Sequence, residues 1–412
     1  MNYKITKASK SLTGSVNLTA SKSESNRVLI IQALCNDSFF IKNLALAEDT
    51  RILSDFLKAE KEGSHFFNVG AAGTTMRFLT AFFSTRPGTR ILTGSDRMKK
   101  RPIGILVDAL RTLGADIEYM EKEGFAPLRI RGTQLKGTEI EMNGSVSSQY
   151  ISALLLISSE ISDELIIKFK NEPTSKPYID MTLSIMKEFR VESEWKENKI
   201  IVKQQKYERK KNKEYSIEAD WSSASYWYAI AALSDEVNFT IKGLKERSLQ
   251  GDSSLVNMFF DLGIKTDYVD NGVLLTKKAI EKIDKIYDFQ KCPDLAQTIS
   301  IVTSGLRLKS SLKGLHTLRI KETDRIEALR NELQKLNVSV VVNGDNIELT
   351  SDNFKYDGTL IKTYEDHRMA MAFSVASTIT EFILIEDAEV VKKSYPDFWK
   401  DLQSNGFEIK KY

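Results

Sequence analysis

The chain of 412 residues repeats itself, and this repetition constrains its fold more than any other feature. The recurring unit is a small or polar cluster, then an apolar helix-like run, then a β-like run. From the second copy on, the copies are roughly 70 residues apart, longer than the ~20–50-residue period of solenoid repeats. Each copy is therefore long enough to be a small α/β unit in its own right. The copies begin at Ser23, Ala72, Val146, Ser222, Asp294 and Glu365.

A second unit alternates with the first and consists of an amphipathic helix, a Leu-Gly stop and a β-hairpin. Leu113-Gly114 and Leu262-Gly263 resemble helix C-caps. The VDNG run at 269–272 lies between alternating apolar residues and predicts a hairpin turn. Together the two units predict an α/β (α+β) protein made of six βαβαββ repeats. A chance alternation of helices and strands is disfavoured, because turn chemistry and period agree across the copies.

The composition excludes several classes of protein. The formal net charge is only +3, and Lys and Arg are spread along the chain, which argues against a nucleic-acid-binding protein. Two cysteines, Cys35 and Cys292, and three scattered histidines indicate neither a disulfide framework nor a metal site. The N-terminus lacks the apolar core of a signal peptide, and no apolar run approaches the ~18 residues of a membrane span. We therefore expect a cytoplasmic, soluble protein.

The polar clusters at the starts of the first-unit helices carry the functional signal. Helix N-termini present unpaired N–H groups and a positive dipole end, so they can bind anions. An isolated Ser or Asp there is explained equally well as an N-cap. The run SKSESNR at 21–27 is not, because it places Lys22 and Arg27 where the dipole disfavours cations. A ligand with phosphate and carboxylate groups would offset that cost.

Ten polar motifs follow one another from near the N-terminus almost to the end of the chain: SKSESNR, AGTTMRF, RMKKRPIG, SSQY, SKPYID, DWSSASY, PDLA, RIKETDRI, DHRMAMAFS and KSYPDF. Their sequence and order resemble those of the 5-enolpyruvylshikimate-3-phosphate synthase family. The resemblance implies transfer of the enolpyruvyl group of phosphoenolpyruvate to the 5-hydroxyl of shikimate 3-phosphate, with release of phosphate, in aromatic amino acid biosynthesis. It implies no metal or organic cofactor.

The resemblance also implies a two-domain protein in which each domain is an inverse α/β barrel of three repeat units. The chain is expected to start in one domain, build the other and then return. The first enolpyruvyl-transferase domain would span residues 20–217, and the second would combine residues 1–19 with 218–412. The family suggests a monomer with no nucleic-acid or membrane partner.

Three groups of site residues follow from the matched motifs, and each group has a separate role. For proton transfer the family implies Lys22, Asp294 and Glu322, although the sequence leaves open which carboxyl is the acid and which the base. For shikimate 3-phosphate it implies Lys22, Ser23, Arg27, Ser147, Ser148, Gln149, Ser175 and Tyr178. For phosphoenolpyruvate it implies Gly73, Thr74, Arg97, Arg325, Arg368 and Lys393. Lys321 and Asp294 are counted among the substrate-binding residues as well.

Simpler roles are open for several of these residues. Gly73 could be a turn glycine, and Glu322 an ordinary salt-bridge partner of Arg325 on one helix face. His367 could be a structural histidine as readily as a catalytic one. If Gly73 leaves room for a ligand, glyphosate, which is longer than phosphoenolpyruvate, should inhibit competitively with it.

The chain departs from the family's pattern at three places, where contacts to substrate could differ. The family's usual Gly before SKS is Ala20, its usual Asn in NAGT is Ala71, and an Asn before the RxKExDR motif is replaced by Thr317 or Leu318.

Three other functions fit parts of this pattern. The related transferase acting on UDP-N-acetylglucosamine is disfavoured because the RMKKRPIG segment contains no Cys. A non-catalytic phosphometabolite-binding protein is disfavoured because carboxylates beside an anionic ligand would only weaken binding. A module of a larger multifunctional enzyme is the third alternative, and 412 residues leave no room for an additional domain.

Overall fold

The computed structural model describes residues 1–145, 147–209, 213–280 and 284–412. Val146, where the third predicted repeat begins, therefore lies outside the described residues. The helices are α1 (Lys22–Leu34), α2 (Glu48–Lys61), α3 (Gly73–Ser84), α4 (Gly104–Thr112), α5 (Ser148–Leu156), α6 (Lys176–Glu188), α7 (Trp221–Leu233), α8 (Leu255–Asp261), α9 (Ala296–Gly305), α10 (Arg325–Gln334), α11 (His367–Ser374) and α12 (Phe398–Ser404).

Short strands alternate with these helices along the chain. They are β1 (Tyr3–Lys7), β2 (Ser11–Asn17), β3 (Phe40–Lys42), β4 (Phe66–Asn68), β5 (Gly88–Thr93), β6 (Asp116–Tyr119), β7 (Leu128–Gly132), β8 (Glu139–Met142), β9 (Leu165–Phe169), β10 (Ser193–Lys196), β11 (Lys199–Val202), β12 (Glu214–Ser216), β13 (Glu236–Lys242), β14 (Ile264–Val269), β15 (Gly272–Lys277), β16 (Lys285–Asp288), β17 (Ser310–Lys313), β18 (Ser339–Asn343), β19 (Asn346–Thr350), β20 (Ile383–Ile385) and β21 (Phe407–Lys411).

The chain divides into two compact units. Unit 1 combines Met1–Ala20 with Glu218–Tyr412, and unit 2 is Ser21–Ile217. In unit 1 the chain therefore leaves after β2 and returns just before α7. Each unit contains two four-stranded sheets and one smaller sheet among the residues described.

The four larger sheets share one topology. In unit 2 the strand order is β4-β5-β7-β6 in one sheet and β8-β9-β11-β10 in the other. In each, the first pair is parallel and the next two pairs are antiparallel. The sheets β2-β13-β15-β14 and β16-β17-β19-β18 of unit 1 repeat this pattern. The recurrence is what βαβαββ repeats produce, because each parallel pair needs a crossover and each hairpin closes antiparallel.

The other two repeats are smaller. Strands β3 and β12 form a two-stranded parallel sheet, and β20, β1 and β21 form a three-stranded antiparallel one. The predicted α/β class and repeat architecture are confirmed. Among the described residues no sheet closes into a barrel, since the strands form separate short sheets.

The helices that begin at the polar clusters are the most buried elements. In α7 every residue except Ser222 is buried, and α3 is buried except at Thr74. A helix that is apolar on all sides belongs in a core. In α7, Trp227 stacks on Phe239 of β13, with ring centroids 5.1 Å apart. The sheets thus cover the helices, and the helix N-termini are left to carry the polar groups.

In the part of the chain that the structure describes, six helices begin at polar clusters: α1, α3, α5, α7, α9 and α11. Four of them are capped by the side chain of the residue that precedes the helix. Ser21, Ser147, Asp220 and Asp366 accept hydrogen bonds from backbone N–H groups in the first turns of α1, α5, α7 and α11. The N-termini of α3 and α9 have no side-chain cap among the described residues. Helix α9 continues directly from a 3-10 turn over Pro293–Leu295, and the backbone N–H of Ala296 donates to the carbonyl of Pro293. The start of α3 therefore has first-turn N–H groups to offer to a ligand. Separately, no helix of the described chain combines the length and apolarity that crossing a bilayer requires.

Candidate active site

In unit 2, Gly73 allows the close approach of a side chain and does not form a turn with a positive φ. It is the first residue of α3 and does not have a positive φ. A Cβ at this position would lie 2.6 Å from Nη1 of Arg101 and 3.1 Å from its Cζ. The glycine therefore lets the Arg101 guanidinium pack directly against the uncapped N-terminus of α3. A guanidinium and free N–H groups at one place are a suitable site for a phosphate or carboxylate.

Within the RMKKRPIG segment, the family pattern predicts Arg97 for the phosphoenolpyruvate subsite. The structure leaves the Arg97 side chain exposed and places the guanidinium of Arg101, four residues later, beside Gly73. The Nε atom of Arg101 is buried and has no hydrogen-bond partner in the described part of the chain. Both arginines lie in one short basic run, so only the fold could show which of them faces α3.

Two of the residues predicted to bind shikimate 3-phosphate, Ser23 and Tyr178, contact the guanidinium of Arg27 through their backbone carbonyls. Its Nε donates to Thr182 Oγ1 at 2.7 Å, and its Nη2 donates to Ser152 Oγ at 3.1 Å and to the Tyr178 carbonyl at 3.2 Å. Its Nη1 donates to the carbonyl of Ser23 at 2.8 Å. Arg27 thus ties α1 to α5 and α6. All four of these acceptors are neutral.

Other predicted residues of this group surround the same helix ends. Ser147 caps α5, and Gln149 Nε2 donates to Thr74 Oγ1 at 3.2 Å, which joins α5 to the start of α3. Ser175 precedes α6 with φ of 54°, a left-handed conformation that costs energy for a residue with a Cβ and is found most often at functional sites. Lys22 Nζ lies 3.4 Å from Asp49 Oδ2, a partner that sequence reasoning did not identify.

Unit 1 contains a dense cluster of carboxylates and cations. Arg325, the first residue of α10, is buried and contacts three carboxylates. Its Nη1 donates to Asp294 Oδ1 at 2.9 Å, and its Nη2 donates to Glu322 Oε2 at 3.0 Å. Its Nε donates to Asp366 Oδ2 at 2.6 Å. Asp366 also caps α11 by accepting from the backbone N–H of Arg368, so it holds two arginines at once. Its role was missed, although the DHRM motif contains it.

Three further cations complete this cluster. Arg368 Nη2 donates to Asp294 Oδ2 at 2.9 Å, and Lys321 Nζ lies 3.5 Å from Asp294 Oδ1. Lys393 Nζ lies 3.0 Å from Glu322 Oε1. Glu322 precedes α10 and bridges two cations, so it is not the simple helix-face salt bridge considered as the alternative. In unit 1, every predicted residue therefore lies within this one network.

The electrostatics of the cluster keep Asp294 ionised. Burial by itself would raise the pKa of Asp294, but Arg368, Lys321 and Arg325 together hold it well below its usual range. Burial lowers the pKa of Lys321, and Asp294 counteracts that effect. Burial also raises the pKa of the neighbouring Asp252 to about 6, with the negative charge of Asp294 adding to the shift. The pKa values of Asp294 and Asp252 are therefore shifted in opposite directions.

The other residues singled out from the sequence have varied surroundings. His367 is buried at the start of α11, with Nδ1 3.6 Å from Asp366 Oδ1. Ala20 forms an isolated β-bridge with Ala219, and Ala71 is exposed. The Thr317 Oγ1 atom is buried and has no hydrogen-bond partner among the residues described. Both cysteines are free, and burial raises the pKa of Cys292 to about 12.

The fold is that of the enolpyruvyl transferases. The enolpyruvyl transferase NikO from Streptomyces tendae superposes with a TM-score of 0.79 at 14% identity, covering 99% of this chain and 98% of that one. EPSP synthase from Acinetobacter baumannii superposes with a TM-score of 0.78 at 21% identity, over 100% of both chains.

Sequence comparison narrows the class to one family. A family model described as EPSP synthase (3-phosphoshikimate 1-carboxyvinyltransferase) matches residues 58–402. The 3-phosphoshikimate 1-carboxyvinyltransferase of Bacteroides fragilis strain YCH46 is 46% identical over 401 residues, 96% of each chain. That of Photobacterium profundum is 36% identical, covering 95% of this chain and 96% of that one. The chain belongs to the EPSP synthase family.

Proposed function

We propose that this chain is a 3-phosphoshikimate 1-carboxyvinyltransferase, which joins the enolpyruvyl group of phosphoenolpyruvate to the 5-hydroxyl of shikimate 3-phosphate and releases phosphate. The observation that carries the proposal is the pair of carboxylates, Asp294 and Glu322, on one buried guanidinium, that of Arg325. Family membership supports the same reaction. A protein that only bound anions would gain nothing from carboxylates at this position.

Asp294 is the proposed proton acceptor. Its low pKa leaves it ionised at neutral pH, and its oxygens are fixed by Arg325 and Arg368. In the addition step the hydroxyl oxygen forms a bond to C2 of phosphoenolpyruvate, and the hydroxyl proton passes to the carboxylate. The methylene carbon gains a proton from Glu322 or Lys22 in the same step. Loss of that proton and of phosphate then regenerates the double bond in the product.

Binding of the anionic groups is assigned to residues outside the carboxylate pair. In unit 2 the uncapped start of α3, with Gly73, Thr74 and Arg101, offers N–H groups and a cation to phosphoenolpyruvate. Arg27 and the start of α5 are proposed to hold shikimate 3-phosphate. In unit 1, Arg325, Arg368 and Lys393 supply the positive charge that a phosphate- and carboxylate-bearing ligand requires.

The two compact units are proposed to be the two enolpyruvyl-transferase domains. We further propose that the enzyme acts in the cytoplasm as a monomer, without a nucleic-acid or membrane partner. The small net charge of +3 supports the absence of a polyanionic partner.

The test is an assay of phosphate release from phosphoenolpyruvate by the purified chain. Shikimate 3-phosphate and UDP-N-acetylglucosamine are compared as acceptors under the same conditions. Release with shikimate 3-phosphate alone is the expected result. Release with UDP-N-acetylglucosamine alone would assign the chain to the other branch of the enolpyruvyl transferases, and release with neither would overturn the proposal.

A further inference from the structure

The backbone carbonyl of Pro102, immediately after Arg101, accepts two side-chain hydrogen bonds. The hydroxyl of Tyr150 donates to it at 2.5 Å, and Nη2 of Arg77 donates to it at 3.3 Å. Because Pro102 follows Arg101 directly, these two bonds fix the chain at the point where the Arg101 guanidinium leaves it. Neither Tyr150 nor Arg77 has a part in the substrate binding or proton transfer proposed above.

The two donors come from the helices that begin at the two substrate subsites. Arg77 is in α3, and its Nη1 also donates to the carbonyl of Gly73 at 3.1 Å and contacts Met98 Sδ at 3.4 Å. Tyr150 is the third residue of α5, and its ring centroid lies 5.9 Å from the Arg77 guanidinium carbon. One compact cluster therefore contacts both ends of the 97–104 loop and the start of α3.

The first turn of α5 carries a second link to the same elements. Gln149, the residue before Tyr150, donates from Nε2 to Thr74 Oγ1. Consecutive side chains of this one turn thus contact α3 and the loop that carries Arg101. A buried tyrosine hydroxyl needs some acceptor, and any nearby carbonyl would satisfy it. The acceptor of the Tyr150 hydroxyl is the residue next to Arg101, and Gln149 of the same turn contacts α3. Together these contacts indicate that the hydroxyl also positions the loop.

We infer that Tyr150 is a positioning residue whose hydroxyl fixes the 97–104 loop to the first turn of α5. The position of Arg101 beside Gly73 therefore depends on α5, the helix at whose start Ser147, Ser148 and Gln149 lie. The inference rests on the proposed function, because the consequence is read out in the binding of phosphoenolpyruvate. Loss of the hydroxyl leaves the carbonyl of Pro102 with the longer bond from Arg77. Arg101 then shifts relative to α3 while the residues around Arg27 keep their contacts.

The test compares Tyr150→Phe with the wild type and with Tyr207→Phe. Tyr207 is a matched control, because its buried hydroxyl donates to the carbonyl of Leu156 at 2.9 Å, at the opposite end of the same helix. For each protein, kcat and both KM values are measured with phosphoenolpyruvate and shikimate 3-phosphate. Calorimetry gives the binding of shikimate 3-phosphate alone, and thermal unfolding gives Tm.

Tyr150→Phe should raise the KM for phosphoenolpyruvate about two- to ten-fold, the effect of one hydrogen bond. Its kcat and its affinity for shikimate 3-phosphate should stay within two-fold of the wild type, and Tyr207→Phe should change neither KM. An unchanged KM for phosphoenolpyruvate overturns the inference. Equal rises in both KM values with a lowered Tm, in both variants, also overturn it, since the hydroxyl would then serve stability alone. Inactivity of the wild type would instead refute the proposed function.

Discussion

Two buried arginines, one in each unit, are held in opposite ways. Arg27 of unit 2 donates to four neutral oxygens, and burial lowers its pKa to about 10. Arg325 of unit 1 donates to three carboxylates. Burial alone would lower its pKa, but Asp366, Glu322 and Asp294 raise it well above the usual range.

The different acceptors of Arg27 and Arg325 indicate different functions for the two arginines. A guanidinium among neutral acceptors keeps most of its charge available, so an anionic ligand can offset the cost of burying it. A guanidinium already paired with carboxylates has much of its charge compensated, so it mainly orients those carboxylates and contributes less charge to a ligand. The comparison therefore predicts that unit 2 mainly binds, whereas the Arg325 cluster of unit 1 mainly moves protons.

The largest expected effect is on turnover in unit 1. Asp294→Asn keeps the shape of the side chain and removes the charged proton acceptor. We expect kcat to fall about 10²–10⁴-fold, since a positioned acid or base contributes that much. Binding of shikimate 3-phosphate, measured by calorimetry, should change little because proton transfer acts in the transition state.

Glu322→Gln should behave in the same way. Turnover within a few-fold of wild type in both variants would contradict the assignment of proton transfer to this cluster. Loss of shikimate 3-phosphate binding in step with kcat would also contradict the separation of tasks between the units.

The second effect is on stability. Arg325→Met would remove one cation from three carboxylates. Asp294 keeps Arg368 and Glu322 keeps Lys393. Asp366 loses the buried ion pair at 2.6 Å, so the variant should lower the free energy of unfolding by about 3–5 kcal/mol at neutral pH. Arg27→Met should cost less, about 1–3 kcal/mol. Its acceptors Ser152 and Thr182 already hydrogen-bond each other at 2.8 Å, so they keep a partner.

Denaturant unfolding of both variants gives the comparison. Equal losses would mean that the two arginines are not held differently, and the contrast between the units would fail.

The third effect concerns the ligand space at α3. Gly73→Ala places a methyl group against the Arg101 guanidinium, so that side chain must move. The inhibition constant of glyphosate should rise about ten-fold more than the KM for phosphoenolpyruvate, because the longer ligand meets the displaced groups first. Steady-state inhibition at several phosphoenolpyruvate concentrations measures both values. An equal rise in the two constants would show that Gly73 does not discriminate between the ligands.

The smallest effect is a pH dependence in unit 1. The pKa of Asp252, about 6, lies above its ordinary value of 3.8. The protonated group therefore favours folding, and this contribution is complete below the unfolded pKa and is lost as the pH rises through about 6. Between pH 5 and pH 7 the wild type should lose about 1 kcal/mol relative to Asp252→Asn.

Unfolding curves of both proteins at the two pH values test this expectation. Asp267→Asn serves as a control, because Asp267 is a half-exposed carboxyl on β14, paired with Lys265. If Asp252→Asn tracks the wild type as closely as the control does, Asp252 is not the group that titrates.

Much of the fold was predictable because its signals are local. The Leu-Gly stops and the VDNG turn at 269–272 mark the ends of α4 and α8 and the β14–β15 hairpin. The pairing of the strands into separate short sheets, rather than the expected barrels, was not predictable in this way, because strand pairing depends on contacts between distant segments. Ser21 and Glu24 show where a local sequence signal does not predict the contact that forms. Their spacing has the form of a capping box, yet Glu24 Oε1 accepts from the hydroxyl of Tyr215 at 2.9 Å, far along the chain.

The site was predictable where one motif contains both a residue and its neighbour, as with Glu322 and Arg325. It was not predictable where the partner lies elsewhere in the chain. Asp49 beside Lys22 and Tyr150 beside Pro102 carry no local signal. Arg101 was overlooked because the RMKKRPIG segment offers several cations, and only the path of the loop selects one of them.

Phosphorus NMR of the purified wild-type chain, mixed with phosphoenolpyruvate and shikimate 3-phosphate, can follow the proposed enolpyruvyl transfer through its substrates and its products at once. The phosphoenolpyruvate signal should disappear as inorganic phosphate appears, while the shikimate 3-phosphate signal converts to that of a new phosphomonoester in equal amount. The Asp294→Asn protein should leave the same mixture essentially unchanged over that time. The proposed transfer would be contradicted if the signals of both substrates persisted with the wild-type chain. It would also be contradicted if phosphate appeared without a new phosphomonoester.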